Sequence, residues 1–123
     1  MTKVLIVEDD KFLSELISTK LEKEECEVYL AADGEQGVQL ATEKRPDIIL
    51  LDIMLPGMSG FEVLEQLKSE KSSVKDIPVL ILSNFGQDAK VKEGLKLGAS
   101  DYLVKANFTT GEIVEKIQSV LGK

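Results

Sequence analysis

No histidine and no tryptophan occur in the sequence, and there is a single cysteine, Cys26. Without histidine there is no imidazole acid–base catalysis, no histidine-activated nucleophile and no ordinary zinc site. One cysteine cannot close an intramolecular disulfide. Cys26 reads as a small apolar residue near a strand, and a reducing cytoplasm is the expected compartment. No apolar run approaches the ~20 residues of a membrane span. The N-terminal run, Val4 to Val7, is too short for a secretory signal. Positive charge is also scarce: 15 Lys and Arg stand against 22 Asp and Glu, a net charge of −7. That balance disfavours a general nucleic-acid or anionic-membrane binder and suits cations and basic partners.

What is present fits one domain, residues 1–123, with 43% hydrophobic residues to build one core. Short apolar runs at Val4–Val7, Val28–Ala32, Ile48–Leu51, Val79–Leu82 and Tyr102–Val104 read as strands. Several are apolar at every position, as expected when both faces of a parallel sheet are covered. Helical patterns lie between them. Phe12, Leu13, Leu16, Ile17 and Leu21 suggest one core-facing stripe, and Phe61, Leu64 and Leu67 another. Ile113, Val114, Ile117, Val120 and Leu121 suggest a third, opened by the capping-box pattern Thr109-x-x-Glu112. Weaker helices are expected from about Gly34 to Lys44 and from Asp88 to Leu97, the latter weakened by Gly94. The polar stretch "SEKSSVKD", Ser69 to Asp76, reads as a surface loop. Five β-α repeats predict a doubly wound α/β fold: a five-stranded parallel sheet with helices on both faces.

In such sheets the functional groups gather beyond the carboxyl ends of the strands. The first strand ends on Glu8, Asp9 and Asp10, the third on Asp52, the fourth on Ser83 and Asn84, and the fifth on Lys105. Asp10 reads as a helix N-cap. Taken singly, the other residues could be turn, cap or solvated groups. Taken together they place acids, a hydroxyl and an ammonium at one edge. Clustered carboxylates raise one another's pKa unless a cation offsets them, and an all-oxygen set suits Mg²⁺. A carboxylate nucleophile, a divalent cation, a lysine and a hydroxyl suffice for phosphoryl transfer onto an aspartate.

At "VLIVEDD", "PDIILLDIMLPGMSG", "PVLILSN" and "GASDYLVK" the sequence strongly resembles the receiver domain of two-component response regulators. The spacings match as well, 43 residues from Asp9 to Asp52 and 22 from Ser83 to Lys105. The resemblance implies the flavodoxin-like strand order 2-1-3-4-5, the order of the family's chemotaxis member. It implies that Asp52 is the phosphoacceptor, that Asp9 binds Mg²⁺ directly, that Glu8 acts through bound water, and that the Met54 backbone carbonyl is a further ligand. It assigns Ser83 and Lys105 to the phosphoryl oxygens and makes Tyr102 the aromatic that turns inward when Ser83 moves. Met54 and Phe85 would flank the path of hydrolytic water. The implied donor is a histidine kinase or a histidine phosphotransfer protein. The implied output is an unidentified partner or effector domain, read by the face of the fourth helix, fifth strand and fifth helix. Homodimerisation through the last helix is a further expectation.

Two positions depart from the family pattern. Ala106 stands where proline usually follows the lysine, so either the loop takes a trans path or the fold supports a strained bond. Asn84 stands where a smaller residue is common. Three other classes compete. An aspartyl phosphatase would want an acid where Met54 stands. A flavin binder would avoid "EDD" beside a phosphate. A receiver fold kept as a docking module would need neither Asp52 nor Lys105.

Overall fold

A computed structural model of the chain describes residues 1–122. Strands β1 (Lys3–Val7), β2 (Glu27–Ala31), β3 (Ile48–Leu51), β4 (Val79–Ser83) and β5 (Asp101–Val104) form one sheet in the order β2-β1-β3-β4-β5. Every pairing is parallel, with Val4 to Val7 level with Ile48 to Leu51 at the centre. Helices α1 (Lys11–Lys23), α2 (Gly34–Lys44), α3 (Gly60–Lys68), α4 (Asp88–Lys96) and α5 (Thr110–Val120) connect and cover it. The expected flavodoxin-like (βα)5 order is therefore the observed one.

The pleat sends alternate residues to opposite faces. Leu5, Val7, Ile49, Leu51, Val79 and Ile81 pack with Ala41 of α2 and Val63, Leu64 and Leu67 of α3. Val4, Ile6, Ile48, Leu50, Leu80 and Leu82 pack with Ile17 and Leu21 of α1 and Ile113, Val114 and Ile117 of α5. All four residues of β3 are buried, which explains its uninterrupted apolar run and makes the strand a stiff mount for Asp52 at its end.

Two helical stripes differ from the pattern expected. In α1 the core face is Ser14, Ile17 and Leu21, while Phe12 is 73% exposed and Leu16 40% exposed. Residues 12 and 16 lie one turn apart on the opposite side of the helix, so apolar spacing alone described two faces, one of which meets solvent. Ser14 fits the buried face because its hydroxyl donates to the Lys11 carbonyl at 3.2 Å. In α5, Val120 closes the helix and is exposed rather than packed. The polar loop 69–76 also contributes to the core, through buried Val74. Lys68 closes that loop, its ammonium donating to the carbonyls of Lys75 (2.9 Å) and Ile77 (2.6 Å). Burial lowers its pKa.

The Thr109–Glu112 capping box is formed in both directions: Thr109 Oγ1 accepts from the Glu112 amide (3.1 Å) and Glu112 Oε1 from the Thr109 amide (2.9 Å). Of the residues of α4, Gly94 alone is buried, and its N-cap Gln87 makes no side-chain capping bond. Every peptide bond among the described residues is trans, the one between Lys105 and Ala106 included. Lys105–Asn107 instead forms a short 3-10 turn leading into α5.

Candidate functional site

The carboxyl ends of β1, β3, β4 and β5 bring the predicted groups to one edge. Parallel pairing does the placing: the Asp52 amide donates to the Val7 carbonyl and the Glu8 amide to the Ala31 carbonyl, each at 2.9 Å. The residues just past β1 and β3 are thereby held side by side. Asp52 is 3% exposed, Glu8 5% and Ser83 0%. Asp9 is exposed at the rim. Asp10 caps α1, its carboxylate accepting from the Leu13 amide.

Lys105 lies between the two buried acids. Its Nζ is 2.9 Å from Glu8 Oε1 and 3.1 Å from Asp52 Oδ2. The contact with Asp52 is a hydrogen bond, whereas Glu8 Oε1 faces the ammonium without a properly directed donor. The other oxygens are engaged locally: Asp52 Oδ1 accepts from the Met54 amide (3.0 Å) and Glu8 Oε2 from the Asp10 amide (3.1 Å). Burial, then the neighbouring Asp52 carboxyl, pushes Glu8 up to about 7, against the opposing effect of Lys105. Burial alone would lower Lys105, but its contacts with Glu8 and Asp52 outweigh that and raise it.

One carboxylate oxygen each from Glu8, Asp9 and Asp52 can be chosen so that all lie within 4.8 Å of one another. An all-oxygen cluster of that size, with Glu8 Oε1 buried and undirected, fits a hard divalent cation.

The remaining residues form a second layer. Ser83 Oγ accepts from the Phe85 amide at 2.9 Å. The Phe85 carbonyl accepts from the Tyr102 hydroxyl at 2.6 Å, and Tyr102 is 8% exposed, turned inward. Lys90 Nζ sits 5.5 Å from the Phe85 ring centre and 5.9 Å from that of Phe61. Met54 is 57% exposed, and Phe85 is half-buried.

Sequence reasoning missed Gly60. A Cβ there would lie 2.3 Å from both the Asp52 carbonyl oxygen and Ile53 Cα, which no side chain can occupy. The bare first residue of α3 lets that helix press against the backbone that carries Asp52, and its amide bonds the Ile53 carbonyl at 3.0 Å. The one available signal was a glycine directly after the N-cap Ser59, in "MSG".

Residues 4–118 match the family described as the response regulator receiver domain. The chain belongs to that family. It is 39% identical over 121 residues to the DNA-binding dual master transcriptional regulator RpaA of Synechocystis, an alignment covering 98% of this chain and 49% of that protein. The chain thus spans about half the length of the curated relative it matches. Among solved structures it resembles the receiver domain of Francisella response regulator 1452 (32% identity, TM-score 0.87, 97% of this chain and 95% of that one). It also resembles chemotaxis protein CheY4 of Vibrio cholerae (32%, TM-score 0.88, 98% of each chain). A third is the BeF3-activated receiver domain of RstA from Klebsiella pneumoniae (28%, TM-score 0.84, 96% and 97%). No helix among the described residues is long and apolar enough to cross a membrane.

Proposed function

We propose that Asp52 accepts a phosphoryl group from a phosphohistidine, carried by a histidine kinase or a phosphotransfer protein, and that this changes the α4–β5–α5 face for an output partner. The observation that carries the reading is the buried Asp52 carboxylate beside Lys105 at 3.1 Å and within a carboxylate cluster. An Asp52 oxygen attacks phosphorus, the P–N bond breaks, and its electron pair returns to the donor imidazole. Lys105 then pairs with a phosphoryl oxygen, and the Ser83 hydroxyl donates to another.

Asp9, Asp52 and the Met54 carbonyl would hold Mg²⁺, with Glu8 acting through bound water. When bound, the ion neutralises charge on the phosphoryl oxygens and offsets repulsion among the acids. The chain's own contribution is to fix Asp52 on a buried strand, to aim Lys105 at it, and to keep Glu8 close by. A receiver fold used purely for docking would have no need of this buried set of charges. Residues 1–123 act as one receiver unit in this reading. Output resides in a partner or in a segment beyond it, and association through α5 is one route by which copies pair.

Incubation with a small phosphodonor and Mg²⁺ tests it. The mass should rise by one phosphoryl group, and Asp52→Asn should abolish the gain. Persistent labelling of that variant would overturn the assignment.

A further inference from the structure

The second layer contains a contact that the chemistry at Asp52 does not use. Helix α4 meets the sheet at Gly94, directly above Ile81 and Tyr102, which are register partners on β4 and β5. A Cβ at residue 94 would stand 2.6 Å from Ile81 Cδ1, 3.2 Å from Tyr102 Cδ2 and 3.5 Å from Phe61 Cε1. The missing side chain is therefore one wall of the slot that holds the tyrosine ring. Ile81 is fully buried, so its Cδ1 can turn only within the packed core, whereas Tyr102 is 8% exposed at the margin and has solvent beside it. The ring's hydroxyl holds the Phe85 carbonyl, and the Phe85 amide holds Ser83 Oγ.

We propose that Gly94 is a positioning residue: by leaving the slot open it keeps Tyr102 inward, and through Phe85 it fixes the Ser83 hydroxyl at the site. This rests on the proposed role of Ser83 toward the phosphoryl group. It makes the size of the residue at 94, on a helix whose other residues are exposed or at most half-buried, a determinant of how firmly the site grips that group.

The test is Gly94→Ala in two readouts. Alanine favours helix over glycine, so the helix itself is not weakened. If the variant does not fold, adding Ile81→Val deletes Cδ1 and leaves the contact with the ring. There is no tryptophan and there are two tyrosines, so in a Tyr29→Phe background Tyr102 is the sole strong emitter. Acrylamide quenching of that emission should rise on Gly94→Ala, and unchanged quenching overturns the proposal. Affinity for beryllofluoride with Mg²⁺ should fall roughly 2- to 10-fold, the span of one lost neutral hydrogen bond. In a Tyr102→Ala background the same substitution should change affinity by less than about twofold; an equal loss in both backgrounds overturns the proposal. If the parent protein bound no beryllofluoride, the proposed function would fail, while the quenching arm would still decide the role of Gly94.

Discussion

At the scale of single residues, the site is a balance among Glu8, Asp52 and Lys105. Removing Lys105's charge leaves two buried acids facing each other. Lys105→Met should therefore retain the fold but lose most phosphoryl acceptance, measurable as the rate of mass gain with a small phosphodonor. Met54 and Phe85 are apolar groups two residues after Asp52 and Ser83, and the first is largely exposed. They offer arriving water no polar handle. Met54→Asn with Phe85→Glu should shorten the phosphoryl lifetime about tenfold, equivalent to ~1.4 kcal/mol off the barrier. A decay rate equal to the parent's would contradict that role. The acids, Ser83 and Lys105 were legible because each ends a strand, and strand ends are visible in a linear sequence. Gly60 was not legible, because its constraint is a distance to the Asp52 carbonyl across a chain reversal. Lys105 was only partly legible: Ala106 for proline left its approach open, and a trans 3-10 turn supplies it.

At the scale of elements, the two apolar sides of α1 make a direct contrast. Ile17 is fully buried, so Ile17→Ala should cost about 2–5 kcal/mol. Phe12 is 73% exposed, so Phe12→Ser should stay within roughly 0.5 kcal/mol. Urea denaturation distinguishes them, and equal losses would restore the stripe that spacing alone suggested. The helix was predictable from its period; which apolar face meets the sheet depends on where the helix docks, and that is tertiary information. Strands were easier, since an uninterrupted run such as Ile48–Leu51 has no second face to choose. The capping box of α5 was legible because its partners sit three residues apart. Thr109→Ala should cost about 1 kcal/mol by the same measurement.

At the scale of the molecule, burial of Glu8 links folding to pH. The folded carboxyl titrates at about 7 against an ordinary value of 4.5. Between those values the folded state holds a proton that the unfolded chain releases. Metal-free stability should thus fall as pH rises through that window, in the direction opposite to that of an ordinary salt-bridged acid. Melting temperature against pH in a chelator should show the decline, and Glu8→Gln should flatten it. A parent and variant with parallel profiles would refute the linkage. Above about pH 7, added Mg²⁺ should raise the melting temperature of the parent by mass action. Fold class and strand order followed from the alternation of elements and from family resemblance together. The proposed output face, α4–β5–α5, came from the family resemblance alone, because exposed residues carry no periodic signal imposed by the core.

The most direct test of the site is to locate the phosphoryl group. After incubation with a phosphohistidine donor and Mg²⁺, borohydride reduction of the acyl phosphate followed by peptide mapping should mark Asp52 in the segment spanning residues 46–68. No mark should form when a chelator replaces the metal. A mark on another residue, or labelling indifferent to the chelator, would contradict the proposed chemistry.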